Sequence, residues 1–200
     1  MSLRIWQYVS TVLLVLFFMT ACSTPGTSTA TTPSPTPTQR TLSQVDSCPR
    51  LVSGYPPEAT FCYTPHQFQE IYGVDGLLKQ GFTGKGQTVV DIVSFGSPTL
   101  QQDMNVFDQQ FGLPPIQLQI IAPLGTKPFN PSDKDMVGWA GETTLDVQII
   151  HAIAPGANIV VLTSPVAETE GTVGLPEFLQ LEQYAIDHHL GNIISQSWGA

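Results

Sequence analysis

The sequence predicts an α/β fold with a mainly parallel sheet and helices on both faces. Two observations carry this. From residue 63 onward, short apolar runs of strand length alternate with segments whose apolar residues recur every three to four positions. The runs themselves, such as "ANIVVLTS", hold almost no charge, as expected of parallel strands covered on both sides. In such sheets, functional side chains gather at the carboxyl ends of the strands.

The elements follow in chain order. In "TPHQFQEIYGVDGLLKQG", Thr64 is placed to cap a helix that starts at Pro65, with Phe68, Ile71 and Tyr72 on one face. "TGKGQTVVDIVSFGSP" is a glycine turn leading into a buried strand, Gln87 to Phe95. Asp91 interrupts that strand, and its surroundings assign it no role. Leu100, Met104, Phe107 and Phe111 keep helical spacing until Gly112 and Pro114 end the helix. "IQLQII" alternates as a strand does, and "PLGTKPFNPSDKDMVGWAG" reads as a loop. A helix is expected from Glu142 to Ala154, closed by Pro155 and Gly156. It is followed by the strand "ANIVVLTS", the helix "LPEFLQLEQYAIDHH" and the strand and turn "NIISQSWGA".

Glu142 and Asp146 stand out chemically. Residues i and i+4 of a helix share a face, with about 5–6 Å between their Cβ atoms, and this face continues through Ile149 and Ile153. Acids in a first helical turn are favoured by the helix dipole. That accounts for Glu142, but poorly for Asp146, a weak helix former between Leu145 and Val147. Two carboxylates in a poorly solvated place cannot both ionise cheaply. One pKa rises and the pair shares a proton, which prepares a general acid/base that works at low pH. His151 falls on another side of the helix and reads as a packed or capping histidine. His188 and His189 face a helix C-terminus, and no second ligand cluster accompanies them, so no metal site is expected.

Seven Lys/Arg against sixteen Asp/Glu give a net charge of −9, and every acid lies from Asp46 onward. Nucleic acid is therefore not an expected partner, since its phosphates require clustered cations. Residues 1–21 have Arg4 followed by an apolar run from Val12 to Met19, too short for an ordinary span but long enough for a signal-peptide core. With Thr20 and Ala21 before Cys22, this resembles a bacterial lipobox. The implied product is an extracytoplasmic lipoprotein anchored to the membrane through lipid on Cys22. Residues 22–62 are rich in Ser, Thr and Pro and read as an extended tether. Ser28, in "GTSTATTP", mimics a nucleophile turn but lies in that tether with nothing to hold it. Outside the cytoplasm, Cys48 and Cys62 are disulfide candidates that would close a loop of about 15 residues, stabilising by roughly 3 kcal/mol.

The stretch "GETTLDVQIIHAIAPGANIVVL" resembles the sedolisins, serine-carboxyl peptidases with a subtilisin-like fold. The likeness extends to "YTPHQFQEIYGV", "GKGQTVVDIV" and "SQSWGA", in family order over residues 63–200. A subtilisin proper would carry a His-Gly-x-His helix, and none occurs. The resemblance implies that Glu142 is the general base for a serine nucleophile and that Asp146 orients it. It also implies that Ser197, Trp198 and Gly199 line a cleft in which an extended peptide or protein substrate pairs in β fashion.

The family's oxyanion aspartate, its nucleophile in a Gly-Thr-Ser turn and its calcium site have no counterpart here. The domain is therefore expected to be incomplete at the C-terminus, without a cofactor and inactive alone, unless downstream sequence supplies a C-terminal complement. A non-catalytic surface lipoprotein that binds peptides or proteins is the alternative. A solute-binding lipoprotein would need two lobes, for which about 140 ordered residues are few.

Overall fold

The computed structural model describes residues 63–168 and 172–199. Cys22, Cys48, Cys62 and the tether lie outside the described residues. Among those described, no helix is long and apolar enough to cross a membrane.

The chain opens with helix α1 (Pro65–Ile71), capped reciprocally: Gln67 N–H donates to Thr64 Oγ1, and Thr64 N–H donates to Gln67 Oε1 at 2.9 Å. The short helix α2 (Asp75–Lys79) follows, then strand β1 (Thr88–Ser94). Helix α3 (Leu100–Phe111) ends where Gly112 adopts φ 68°, a left-handed cap. Strand β2 (Gln117–Ile121), helix α4 (Lys134–Ile153), strand β3 (Asn158–Ser164), helix α5 (Leu175–Asp187) and strand β4 (Ile193–Ser195) complete it.

The four strands form one all-parallel sheet in the order β2-β3-β1-β4. Side chains of β1 alternate between its two faces. Val90 and Ile92 meet Val160, Leu162, Phe178, Leu181 and Ala185 beneath α5. Val93 packs on the other face with Val161, Leu100, Met104 and Val147, beneath α3 and α4. Both central strands are buried on both faces, which is why their sequences read as continuous apolar runs. At the edge, Ile193 and Ile194 of β4 are exposed.

This layering fixes an unusual connection. The steps β2 to β3 and β3 to β4 run the same way along the sheet, yet α4 and α5 cover opposite faces. The steps β1 to β2 and β2 to β3 run opposite ways, yet α3 and α4 share a face. The crossover through α4 thus has the opposite hand to the other two, against the strong preference for one hand. It brings α4 back over β1, the central strand.

The helix expected at Pro65 forms as α1, with Ile71 and Tyr72 exposed and Phe68 stacked on Tyr72. The helix is tied to the end of α4 by Gln69 Nε2–H donating to Ala152 O at 2.8 Å. One expectation is corrected: "KDMVGWAG", expected as loop, forms the first two turns of α4. Asp133 caps it by accepting from the N–H groups of Asp135 and Met136. Gly138 and Gly141 disfavour helix by about 1 kcal/mol each, and burial of Met136 and the half-buried Trp139 offsets this.

Gly156, in the turn after α4, is set by packing. Its N–H donates to Thr83 O, and a Cβ there would press into the Thr83 side chain.

Candidate active site

Glu142 lies eight residues into α4, counting from Lys134, and Asp146 one turn further. Neither is in the first turn, so the helix dipole explains neither position. Thr143, Asp146 and Val147 are buried, Glu142 is half-buried and Leu145 is exposed. The pair therefore lies where the buried face of α4 meets the surface.

Strand β4 delivers the other side of the site. Beyond Ser195 the chain leaves the sheet, and Ser197 Oγ donates to Asp146 Oδ1 at 2.6 Å. Ser197 also borders an open groove with Lys134, Asp135, Gly138, Trp139 and Glu142. At Gly138 the helix presents no side chain to that groove. Trp139 leads from the groove into a buried aromatic cluster: Phe178 meets Trp139 edge-on at 5.9 Å between ring centroids and Trp198 edge-on at 5.0 Å. Trp139 Nε1–H donates to Glu168 O, pinning the loop after β3. Trp198 Nε1 is buried without a hydrogen-bond partner, and Gly199 is exposed.

The electrostatics match the spacing. Burial, then the neighbouring Asp146 charge, push the Glu142 carboxyl above its usual range. Burial also pushes Asp146 up, and the Ser197 hydroxyl pulls it part of the way back. Ser197→Ala is therefore expected to raise the Asp146 midpoint further, as read by carboxyl 13C shifts across a pH series. An unchanged midpoint would mean that the hydroxyl does not serve Asp146.

Four residues singled out in the sequence, Glu142, Asp146, Ser197 and Trp198, thus come together at the carboxyl end of the sheet. No hydrogen bond joins Glu142 to Asp146 among the described residues; Asp146 bonds Ser197 instead. His151 is fully buried on another side of α4, with Nε2 3.1 Å from Asp108 Oδ1 and 3.0 Å from Pro114 O. His188 caps α5 and stacks on Tyr184. No metal-holding cluster of His, Cys, Asp or Glu occurs among the described residues. The sequence did not single out Trp139, whose place in the expected loop concealed it, and it assigned Asp91 no role. Asp91 is fully buried on β1, and a lone acid in an apolar strand was the available signal.

The fold and the position of these groups define an α/β protein with a sedolisin-like fold. Among solved structures, the chain is similar to Pseudomonas sedolisin, a serine-carboxyl proteinase, in a complex with two molecules of pseudo-iodotyrostatin. Identity is 26% and the TM-score 0.50, over 68% of this chain and 34% of that one. The chain thus spans about a third of the proteinase's length. No protein-family profile and no curated protein matches it.

Proposed function

We propose that this chain carries the acid/base half of a serine-carboxyl endopeptidase site. The observation that carries the reading is Glu142 and Asp146, one turn apart at the rim of a groove, in a fold similar to that of a serine-carboxyl proteinase. Glu142, the more exposed acid, takes the proton of a serine hydroxyl and returns it to the leaving amine. Asp146, deeper and held by Ser197, is the orienter and proton store. A carboxylate base remains usable in acid, where histidine would be protonated. An extended peptide lies in the groove against the Ser197–Gly199 backbone. The serine and the oxyanion donor come from a C-terminal complement, because the Ser197 hydroxyl is committed to Asp146. Lipid on Cys22 and the tether of residues 22–62 would hold the domain outside the cytoplasm.

The test is cleavage of a denatured protein at about pH 3–5 by the longest gene product that contains these residues, wild type against Glu142→Gln. The variant is expected to lose roughly 100-fold or more in kcat, while the 200-residue chain alone cleaves nothing. A Glu142→Gln variant that works at the wild-type rate would overturn the role of Glu142. Cleavage by the 200-residue chain alone would overturn the need for a complement.

A further inference from the structure

Asp91 occupies the middle of β1, the strand flanked on both sides, opposite Val161 of β3 and Ser195 of β4. By strand alternation it shares a face with Val89 and Val93, the face covered by α3 and α4. It is fully buried, and neither carboxyl oxygen has a hydrogen-bond partner. The charges that act on it are both acidic. From α4 it meets the charges of Glu142 and Asp146. The neighbours on that face from β3, β4 and α3 are Val161, Thr163, Ser195, Leu100 and Met104, none of them titratable.

An ionised carboxylate in such a place is strongly disfavoured, so the group is a neutral acid, and its O–H needs an acceptor. The complementary vacancy is on Asp146. Its Oδ1 accepts from Ser197, while its Oδ2 is buried and accepts from nothing. One buried carboxyl has a hydrogen to give, and its acidic neighbour has an oxygen without a donor.

We propose that Asp91 is a third carboxyl of the cluster, keeping its proton at neutral pH and donating it to Asp146 Oδ2. Asp146 is then fixed through both oxygens, by a hydroxyl from β4's extension and by an acid from β1. Asp91 is a positioning residue: it acts through Asp146 and never meets substrate. Only the catalytic consequence, a fixed acceptor for the Glu142 proton, rests on the peptidase reading; the protonation itself does not.

The electrostatic surroundings agree. Burial first, then the Asp146 and Glu142 charges, push Asp91 from 3.8 up to about 8. Between those two pH values the folded chain holds a proton that the unfolded chain has released. This contribution to stability therefore declines as pH rises from about 4 to about 8, and is level outside that window.

The experiment is infrared spectroscopy of the full chain in the protonated-carboxyl region, with thermal unfolding on the same samples. At a pH midway between 3.8 and about 8, wild type is expected to show one protonated-carboxyl band that is absent in Asp91→Asn. The band should fade by half near pH 8 and shift in Asp146→Asn, where the acceptor changes. The Tm of Asp91→Asn should gain on wild type as pH rises through the window, since the amide donates the same bond without titrating. If Asp91→Asn does not fold, the wild-type titration and Asp146→Asn still decide the matter. No band at that pH, or a band indifferent to Asp146→Asn, would overturn the proposal. Absent cleavage by the longest gene product that contains these residues, beside an intact, Asp146-sensitive band, would sink the peptidase reading alone.

Discussion

Phe178→Ala is expected to lower stability by about 3–5 kcal/mol and to loosen Trp139, which lines the groove. Phe178 is fully buried on α5, against Val90, Ile92, Val160 and Leu162 of the two central strands. Truncation removes that burial and leaves a cavity the β-branched strand residues cannot fill by rotating. It also removes both edge-on aromatic contacts, to Trp139 and Trp198, each worth about 0.5–1.5 kcal/mol beyond area. Those tryptophans come from α4 and from the turn after β4, the two walls that carry Glu142 and Ser197. A core lesson and a site lesson therefore appear in one variant. Urea unfolding reads the first, and native tryptophan fluorescence reads the second. Leu179→Ala, the exposed neighbour on the same helix, is the control and should stay within about 0.5 kcal/mol. Equal losses in the two variants would mean that α5 is not packed as described.

The second large effect is expected at the other end of α4. His151 Nε2 hydrogen-bonds Pro114 O at 3.0 Å and lies 3.1 Å from Asp108 Oδ1, a buried oxygen that has no hydrogen-bond partner of its own. Asp108 Oδ2 accepts from Ile116 N–H at 2.9 Å. One buried carboxylate thus ties the last turn of α3 to the start of β2 and to α4. His151→Leu replaces the polar group beside Asp108 Oδ1 with an apolar one and is expected to cost about 3–5 kcal/mol. The double variant Asp108→Asn/His151→Leu should cost less than the two single changes added, by at least about 1 kcal/mol, because the stranded charge is gone. Strict additivity of the two changes would show that the pair does not act as a unit.

Much of the fold was legible because a parallel sheet writes itself as apolar runs between amphipathic helices, and all four strands stand where those runs place them. What misled was local. Gly138 and Gly141 weaken helix propensity in "MVGWAG", yet Met136 is buried and Trp139 packs against the sheet core, and α4 is longer by two turns. The helical spacing of Phe68, Ile71 and Tyr72 was legible as α1, along which Phe68 and Tyr72 stack. Within the site, the Glu142–Asp146 spacing and the "SWG" turn were readable from sequence. Their meeting through Ser197 was not, since residues 146 and 197 are joined only by the sheet. Asp91 was visible as an acid inside an apolar strand. Its partner was not, because strand alternation alone cannot say which helix residue lies above it.

Helix α4 presents two interacting carboxyls whose protons are held above the ordinary range beside an open groove. The direct measurement is a 13C carboxyl titration of Glu142 and Asp146 in the wild-type chain and in Asp146→Asn. The midpoints of Glu142 and Asp146 are expected above 4.5 and 3.8 respectively, with that of Glu142 falling once the Asp146 charge is removed. Two independent midpoints at the ordinary values, unaffected by Asp146→Asn, would contradict it.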